Sequence, residues 1–285
     1  DKYDTIGIDC VAMNVNDVIC VGAEPIAMTD YLAVQAPDEH MFAEIGKGLL
    51  RGAAAARITI PGGEISQIRE MISGVREGRG FDLVGTCVGT VPLDRILIGK
   101  DIREGDVVVG LASSGVHSNG LTLARRALVG HGGLSIESQV PEFSRSIGEE
   151  LLEPTTIYVR FAMSILEAKF PVKALVHITS DGFLNLTRVG ADVGYVIDSL
   201  PDAPPVFQLI QHLGGISDEE MFRVFNMGIG LCVVVSPDGV DGVRRVADSY
   251  GHRSTVLGVA HADPKRRVRI EPKRLEGRGA TFVRL

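Results

Sequence analysis

Apolar runs of strand length alternate with segments of helical periodicity along most of the chain, and this alternation limits the folds that the chain can adopt. In the first half, residues 9–22 carry apolar side chains at helical spacing, and residues 26–34 and 81–91 read as strands. In the second half, the strands predicted at 106–111 and 228–236 each lead into a helix. Strands separated by single helices, in both halves, predict two sandwich-like domains of the α+β class.

Local signals add further elements. Asp38 is placed to cap a helix. The apolar stripe of that helix comprises Phe42, Ile45, Leu49 and Ala53. Residues 58–60 read as a short strand that ends in a Pro-Gly-Gly turn, and residues 174–189 as a strand, a turn and a helix. The composition becomes polar and charged over residues 92–105, which predicts domains at 1–98 and 99–285.

Charge and cysteine usage limit the partners of the chain. Acidic residues number 36 and basic residues 29, a net charge of −7 over 285 residues, which argues against binding DNA or RNA through phosphates. No apolar run approaches the roughly 20 residues that cross a bilayer, so no membrane association is expected. The 4 cysteines include no Cys-x-x-Cys pair. Reduced thiols in a cytoplasmic protein are therefore the expectation.

The first candidate for chemistry is a set of oxygen-bearing side chains in the first half. Its members are Asp9, Asn14, Asp17, Asp30 and Glu64. Asn14 and Asp17 are three residues apart on a predicted helix and share a face, where Asp17 sits among apolar neighbours. Asp30 shares a strand face with Ile26, Met28, Leu32 and Val34. Such oxygens suit Mg²⁺, although each acid alone is equally compatible with a cap or a surface position.

The second candidate is the loop of small residues at 113–120, between a predicted buried strand and a helix. Small residues leave backbone amides accessible, and a helix N-terminus attracts anions, so the loop is suited to a phosphate group. It is not a Walker A motif, and a simple capped helix start stays open as the alternative. The third candidate is the segment 177–182, where His177 could act as an acid, a base or a core histidine.

Together these segments resemble the phosphoribosylformylglycinamidine cyclo-ligase family, also called aminoimidazole ribonucleotide synthetases. The matching segments occur in the family's order and cover nearly the whole chain. They are 4–9, 11–17, 22–25, 30–31, 62–64, 113–120, 152–159, 177–179 and 225–230. The Ser-Gly-Val-His-Ser-Asn-Gly run at 114–120 is the most specific of them, because it separates this family from thiamine-monophosphate kinases and other relatives of the same fold.

The resemblance implies an activity and an assembly. Formylglycinamidine ribonucleotide and ATP, with Mg²⁺, would give aminoimidazole ribonucleotide, ADP and phosphate. The family also implies a homodimer in which the first domains pair their sheets into a barrel. Members of the family have a glycine-rich segment upstream of the position that corresponds to Asp1. We therefore expect the 285-residue chain to fold, dimerise and bind the phosphoribosyl substrate, but to bind ATP weakly and turn over slowly.

The resemblance also assigns roles to residues. The catalytic candidates are His117, His177 and Asp17. Nucleotide binding falls to Asp17, Asp30, Gly63 and Glu64, with Asp17 and Glu64 as ligands of Mg²⁺. The substrate phosphate falls to Ser114, Gly115, Ser118, Asn119, Thr179 and Asp181.

Two departures from the family pattern keep alternatives open. Gln67 stands where many members have an acid, and Ser180-Asp181-Gly182 stands where many have three glycines. The second departure resembles the thiamine-monophosphate kinases. A small-molecule kinase of the same fold is therefore one alternative hypothesis. A non-catalytic nucleotide-binding paralogue is the other, because the sequence begins after the family's glycine-rich segment.

Overall fold

The computed structural model describes residues 1–285 and divides them into two compact units. The first unit comprises Asp1–Ile96 together with Ile157–Arg160. The second comprises Leu97–Thr156 and Phe161–Leu285. Each unit contains a sheet and helices, which confirms the predicted α+β class.

The first unit is a three-stranded sheet with two long helices. Its elements are α1 (Ile6–Ile19), β1 (Glu24–Val34), α2 (Glu39–Ala56), β2 (Gly63–Gln67) and β3 (Phe81–Thr90). β1 lies in the centre, parallel to β2 and antiparallel to β3. The predicted cap of α2 is confirmed, because the Asp38 carboxylate accepts a hydrogen bond from the Met41 N–H at 2.7 Å.

The two helices of the first unit contribute apolar side chains to one face of its sheet. Ile45 of α2 packs with Leu32 and Val34 of β1, and Phe42 and Leu49 pack at the edge of this cluster. The opposite face of the sheet exposes apolar side chains: Val84 is 48% exposed and Val88 62%. Tyr31 pairs with Val84 across the strands and lies on this same face.

Two sequence predictions for the first unit are wrong. Residues 58–60 form a single bridge, between Thr59 and Ala27, and the strand begins only at Gly63. Glu64 therefore lies inside a strand and not in a turn. Ile26 is 50% exposed, because an irregularity between Pro25 and Ala27 breaks the alternation of side chains along β1.

The second unit is built on an eight-stranded sheet in the order β11-β10-β9-β6-β8-β4-β7-β5. The strands are β4 (Val107–Ala112), β5 (Val172–His177), β6 (Val193–Ile197), β7 (Ile229–Val235), β8 (Ser254–Ala262), β9 (Val268–Ile270), β10 (Leu275–Arg278) and β11 (Thr281–Arg284). The helices of this unit are α3 (Leu121–Arg125), α4 (Ile147–Leu151), α6 (Pro205–Gly214), α7 (Asp218–Val224) and α8 (Val240–Ser249). One more helix, α5 (Val159–Glu167), begins in the segment assigned to the first unit and continues in the second. β7 is buried at every position, which fits its continuous apolar sequence.

Two short segments of the second unit are not α-helical. Residues Arg126–His131 continue α3 as a π-helical turn, a form that is rare and frequent at functional sites. The helix predicted after the turn at 179–182 is a 3₁₀ helix, Gly182–Arg188. None of the helices in the chain is long and apolar enough to span a bilayer.

Candidate functional site

The loop of residues 113–120 connects β4 to α3, as the sequence predicts. The backbone of Ser113 extends the sheet by donating from its N–H to the Gly228 carbonyl at 2.9 Å. The chain then leaves the sheet, and His117 adopts a positive φ of 61°. Gly120 follows with a positive φ of 79° and a ring of Phe225 packed against its Cα, so glycine is required at the start of α3.

Asn226, which is distant from this loop in sequence, holds the beginning of the loop by hydrogen bonds. The side chain is 3% exposed and all four of its hydrogen-bonding positions are used. Its Oδ1 accepts from the Ser113 hydroxyl at 2.9 Å and from the Gly228 N–H at 2.8 Å. Its Nδ2 donates to the Gly115 carbonyl at 2.9 Å and to the Val116 carbonyl at 3.1 Å. The loop therefore has a fixed backbone path.

A second set of hydrogen bonds joins the loop to residues 154–156. His117 Nε2 accepts from the backbone N–H of Ser114 at 3.1 Å and of Thr156 at 3.4 Å. The Ser114 hydroxyl donates to the Pro154 carbonyl at 2.6 Å. The loop hydroxyl of Ser118 lies 3.0 Å from the Thr155 hydroxyl. We call this set the loop clasp.

The clasp holds His117 as a neutral imidazole. Because Nε2 accepts two backbone hydrogen bonds, the ring proton resides on Nδ1. The side chain is only 4% exposed, and burial, with a smaller effect of nearby His177, lowers the pKa of His117 from 6.5 to about 3. Nδ1 is buried and has no hydrogen-bond partner in the chain. The geometry thus favours a positioning role for His117 over proton transfer at neutral pH.

The segment 177–182 reaches the same loop. His177 ends β5 and is 5% exposed. The Ser180 hydroxyl donates to Asn119 Oδ1 at 2.9 Å, which connects this segment to the loop. Asp181 has a positive φ of 72°, and its carboxylate accepts from Arg188 at 3.0 Å and does not cap the 3₁₀ helix. Thr179 is bridged to Asp181 across the turn.

A cleft of about 470 Å³ opens at the end of the loop. It is lined by Ser118, Gly120, Leu121, Thr122, Leu123, Arg126, Glu220 and Val224. Its size is within the range of small-molecule sites. Glu220 is paired with Arg223, at 2.6 and 2.8 Å. Arg126 is exposed and makes no ion pair, so its guanidinium is the uncompensated positive charge of the cleft.

Asp17 of the first unit lies at a second cleft, of about 310 Å³. Met13, Asn14, Asp17 and Val18 of α1 line it together with Cys87 of β3. The predicted proximity of Asn14 and Asp17 is therefore present. The prediction that Asp17 lies on the apolar face of its helix is wrong, because Asp17 is exposed while Val15 and Ile19 are buried. The polar residue on the buried face of α1 is Asn16.

Asp30 lies on the helix-facing side of the sheet, close to Cys10. Burial, followed by the charges of Asp30 and Asp9, raises the pKa of the Cys10 thiol to about 12. Burial also raises the pKa of Asp30. A side chain at Gly63 would lie 2.6 Å from the Asp30 carboxylate oxygen, so glycine is needed beside this acid. The structure thus brings Asp30 and Gly63 together.

Glu64 is separated from these acids. It pairs with Tyr31 across the strands and therefore faces away from the helices, whereas its neighbour Gly63 pairs with Asp30. No group of three or more His, Cys, Asp or Glu side chains gathers as a metal site in the chain. A Mg²⁺ ion that nucleotide phosphates also hold needs only one or two carboxylates, and Asp17 at the second cleft or Asp30 beside Gly63 would supply them. Glu64 does not join them within one chain.

Sequence reasoning gave no role to two buried asparagines. Asn226 organises the loop, and Asn16 of α1 accepts the Tyr158 N–H at 3.0 Å within the first unit. A polar residue inside an apolar helical stripe or at the start of a buried strand is the signal that could have found both.

Comparison with known families accounts for most of the chain. Residues 1–91 match the N-terminal domain of AIR synthase related proteins, and residues 103–271 match the C-terminal domain. A phosphoribosylformylglycinamidine cyclo-ligase of Methanothermobacter thermautotrophicus is 49% identical over 252 residues, 88% of this chain and 72% of the relative. The chain belongs to the phosphoribosylformylglycinamidine cyclo-ligase family. The enzyme of Methanobrevibacter smithii is 43% identical over 282 residues, 99% of this chain and 80% of the relative.

Solved structures of more distant proteins share the fold. The hydrogenase maturation protein HypE in complex with ATP has a TM-score of 0.70 at 16% identity, over 98% of this chain and 79% of that one. Thiamine-monophosphate kinase from Stenotrophomonas maltophilia has a TM-score of 0.67 at 20% identity, over 95% and 79%. At this identity the likeness concerns the fold alone.

Proposed function

We propose that the protein closes the imidazole ring of aminoimidazole ribonucleotide, from formylglycinamidine ribonucleotide and ATP, in purine biosynthesis. The observation that carries the proposal is the sequence identity to cyclo-ligases of 43–49% over most of the chain. The loop at 113–120, anchored by Asn226 and closed by the loop clasp, supplies a preorganised anion-binding element of the kind that the reaction requires.

The chemistry sets the requirements of the site. The formyl oxygen attacks the γ-phosphorus, and ADP leaves. The amidine nitrogen then attacks the formyl carbon, and the ring closes. The formyl oxygen leaves that carbon as part of phosphate, and the nitrogens release protons. Because nucleophile and electrophile belong to one molecule, the protein need only fold the substrate, stabilise phosphate charge and exclude water.

The second unit is suited to the phosphoribosyl end of the substrate. Ser114, Gly115, Ser118 and Asn119 present small polar groups in a fixed loop, and Arg126 contributes a positive charge to the adjoining cleft. Thr179 and Asp181 would complete the facing side, because Ser180 holds their turn against Asn119. His177, buried near His117, is the proposed participant in proton transfer.

The first unit is suited to the nucleotide. The ATP-bound HypE structure supports ATP as the ligand of this fold. We assign Asp17 and Asp30, beside Gly63, to the phosphates of ATP and their Mg²⁺. Bound there, Mg²⁺ would neutralise phosphate charge during transfer. Glu64 is retained as a nucleotide and metal ligand only if a second chain brings it to the site.

We further propose a cytoplasmic homodimer. The exposed face of the three-stranded sheet, with Tyr31, Val84 and Val88, is apolar and suited to pairing with its own copy about a two-fold axis. None of the four cysteines forms a disulfide in the structure, which is consistent with a reducing compartment.

Product identity tests the proposal. The protein is incubated with formylglycinamidine ribonucleotide and Mg-ATP for long enough to detect product even at slow turnover. The products are then separated and identified by mass. Cyclo-ligase activity gives aminoimidazole ribonucleotide, ADP and free phosphate in equal amounts. A stable phosphorylated product without free phosphate would instead favour the small-molecule kinase. Nucleotide binding without any product would favour the non-catalytic paralogue.

A further inference from the structure

The peptide groups held by Asn226 have a defined orientation. In a trans peptide the carbonyl of one residue and the N–H of the next point in opposite directions. Asn226 Nδ2 draws the carbonyls of Gly115 and Val116 toward itself, at 2.9 and 3.1 Å. The N–H groups of Val116 and His117 must therefore point to the other side of the loop.

Those two N–H groups are donors without a partner. Neither Val116 nor His117 donates a backbone hydrogen bond within the chain, although both residues are at least 96% buried. The backbone changes from negative φ at Val116 to a φ of 61° at His117, which is the alternation that forms an anion-binding nest of successive amides. Buried amides of this kind are rarely left unpaired. A bound anion would satisfy them.

We propose that Asn226 is the positioning residue of this anion site: by holding the Gly115 and Val116 carbonyls, it aims the Val116 and His117 amides at a phosphate group of the bound ligand. Asn226 itself lies behind the loop and does not touch the ligand. The identification of that ligand as a phosphoribosyl compound rests on the proposed function. The direction in which the Val116 and His117 N–H groups point does not depend on it.

One substitution separates the two kinds of hydrogen bond that Asn226 makes. Asn226→Asp keeps the size and the oxygen that accepts from Ser113 and Gly228. It replaces the donating amino group by an oxygen that faces two carbonyl oxygens, so the Gly115 and Val116 peptides should turn. Ser113→Ala is the matched control, because it removes the hydroxyl that contacts Asn226 Oδ1 and the Gly115 carbonyl but leaves both donations from Asn226 Nδ2 intact.

Ribose 5-phosphate is the probe, and its dissociation constant is measured by calorimetry in the wild type and both variants. Losing two oriented amides should weaken binding about ten- to hundred-fold in Asn226→Asp. Ser113→Ala should bind within threefold of the wild type, although its melting temperature falls. The affinity for ADP should be unchanged in both variants, because the nucleotide is assigned to the first unit. Equal affinities in the wild type and Asn226→Asp, or an equal loss in Ser113→Ala, would overturn the proposal.

A measurement on the wild type covers the case in which Asn226→Asp does not fold. Inorganic phosphate is titrated into ¹⁵N-labelled protein, and the amide signals of Val116 and His117 should move most. Movement elsewhere but not at these two amides, or no phosphate binding, would overturn the proposal. If phosphate moves both amides but no aminoimidazole ribonucleotide forms, the anion site at these amides stands and the proposed function fails. If the ring closes while Asn226→Asp binds normally, only the positioning role fails.

Discussion

The buried neutral state of His117 makes the stability of the second unit depend on pH. In the unfolded chain the imidazole takes up a proton below about pH 6.5. In the folded protein it stays neutral down to a pKa of about 3, because protonating Nε2 would displace the N–H groups of Ser114 and Thr156 inside a buried site. The unfolded state therefore binds more protons as the pH falls from 6.5 toward 3, and stability is lost in that window.

The magnitude follows from the two pKa values of His117. Between pH 7.5 and pH 5, protonation of His117 stabilises the unfolded chain relative to the folded protein by the equivalent of about 1.5 pKa units. At 1.36 kcal/mol per unit this amounts to about 2 kcal/mol. His117→Asn removes the titrating group, keeps an acceptor oxygen and tolerates the positive φ at this position. The variant should be less stable than the wild type at pH 7.5, and the difference should shrink by about 2 kcal/mol at pH 5.

Urea unfolding at the two pH values measures the effect. Methyl NMR signals of the second unit report its transition separately from that of the first unit. His131→Asn, which replaces an exposed histidine, is the control and should keep the wild-type pH dependence. Parallel losses of stability in the wild type and His117→Asn would refute the buried neutral imidazole.

Three other outcomes follow from the proposed sites. Asp17→Asn should raise the Mg²⁺ concentration needed for half-maximal turnover, and an unchanged Mg²⁺ dependence would remove Asp17 from the metal. Arg126→Met should weaken the binding of ribose 5-phosphate about tenfold, as a lost charge-assisted hydrogen bond would. Arg125→Met, at the neighbouring exposed arginine, should not, and equal effects would point to general charge. Light scattering should give about twice 30.5 kDa for the wild type and a mass closer to that of the monomer for Val88→Arg. A wild-type monomer would contradict the sheet-paired dimer.

Local signals in the sequence were enough to predict most of the fold. The Asp38 cap, the loop between β4 and α3 and the alternation of strands with helices all follow from residue spacing and from turn and cap preferences within a few residues. The prediction was wrong where pairing with another strand determines which residues form a strand. Residues 63–67 and not 58–60 form β2, because parallel pairing with β1 determines where that strand begins.

The organisation of the candidate site depends on contacts distant in sequence. Asn226 and the carbonyl of Gly115 are 111 residues apart, so no local pattern could connect them. The rotation of α1 about its axis determines which polar side chain is buried. Asn16 lies on the packed face of the helix, and Asp17, the next residue, lies on the exposed face. The loop sequence predicted an anion site, but the direction in which its amides point required the folded structure.

The most direct test of the account follows the formyl oxygen itself. Formylglycinamidine ribonucleotide labelled with ¹⁸O at the formyl group is converted with Mg-ATP, and the released phosphate is examined by mass spectrometry. Transfer of the γ-phosphoryl group to that oxygen predicts one ¹⁸O atom in each phosphate formed. Unlabelled phosphate, with the ¹⁸O in water or in an organic product, would contradict the proposed reaction.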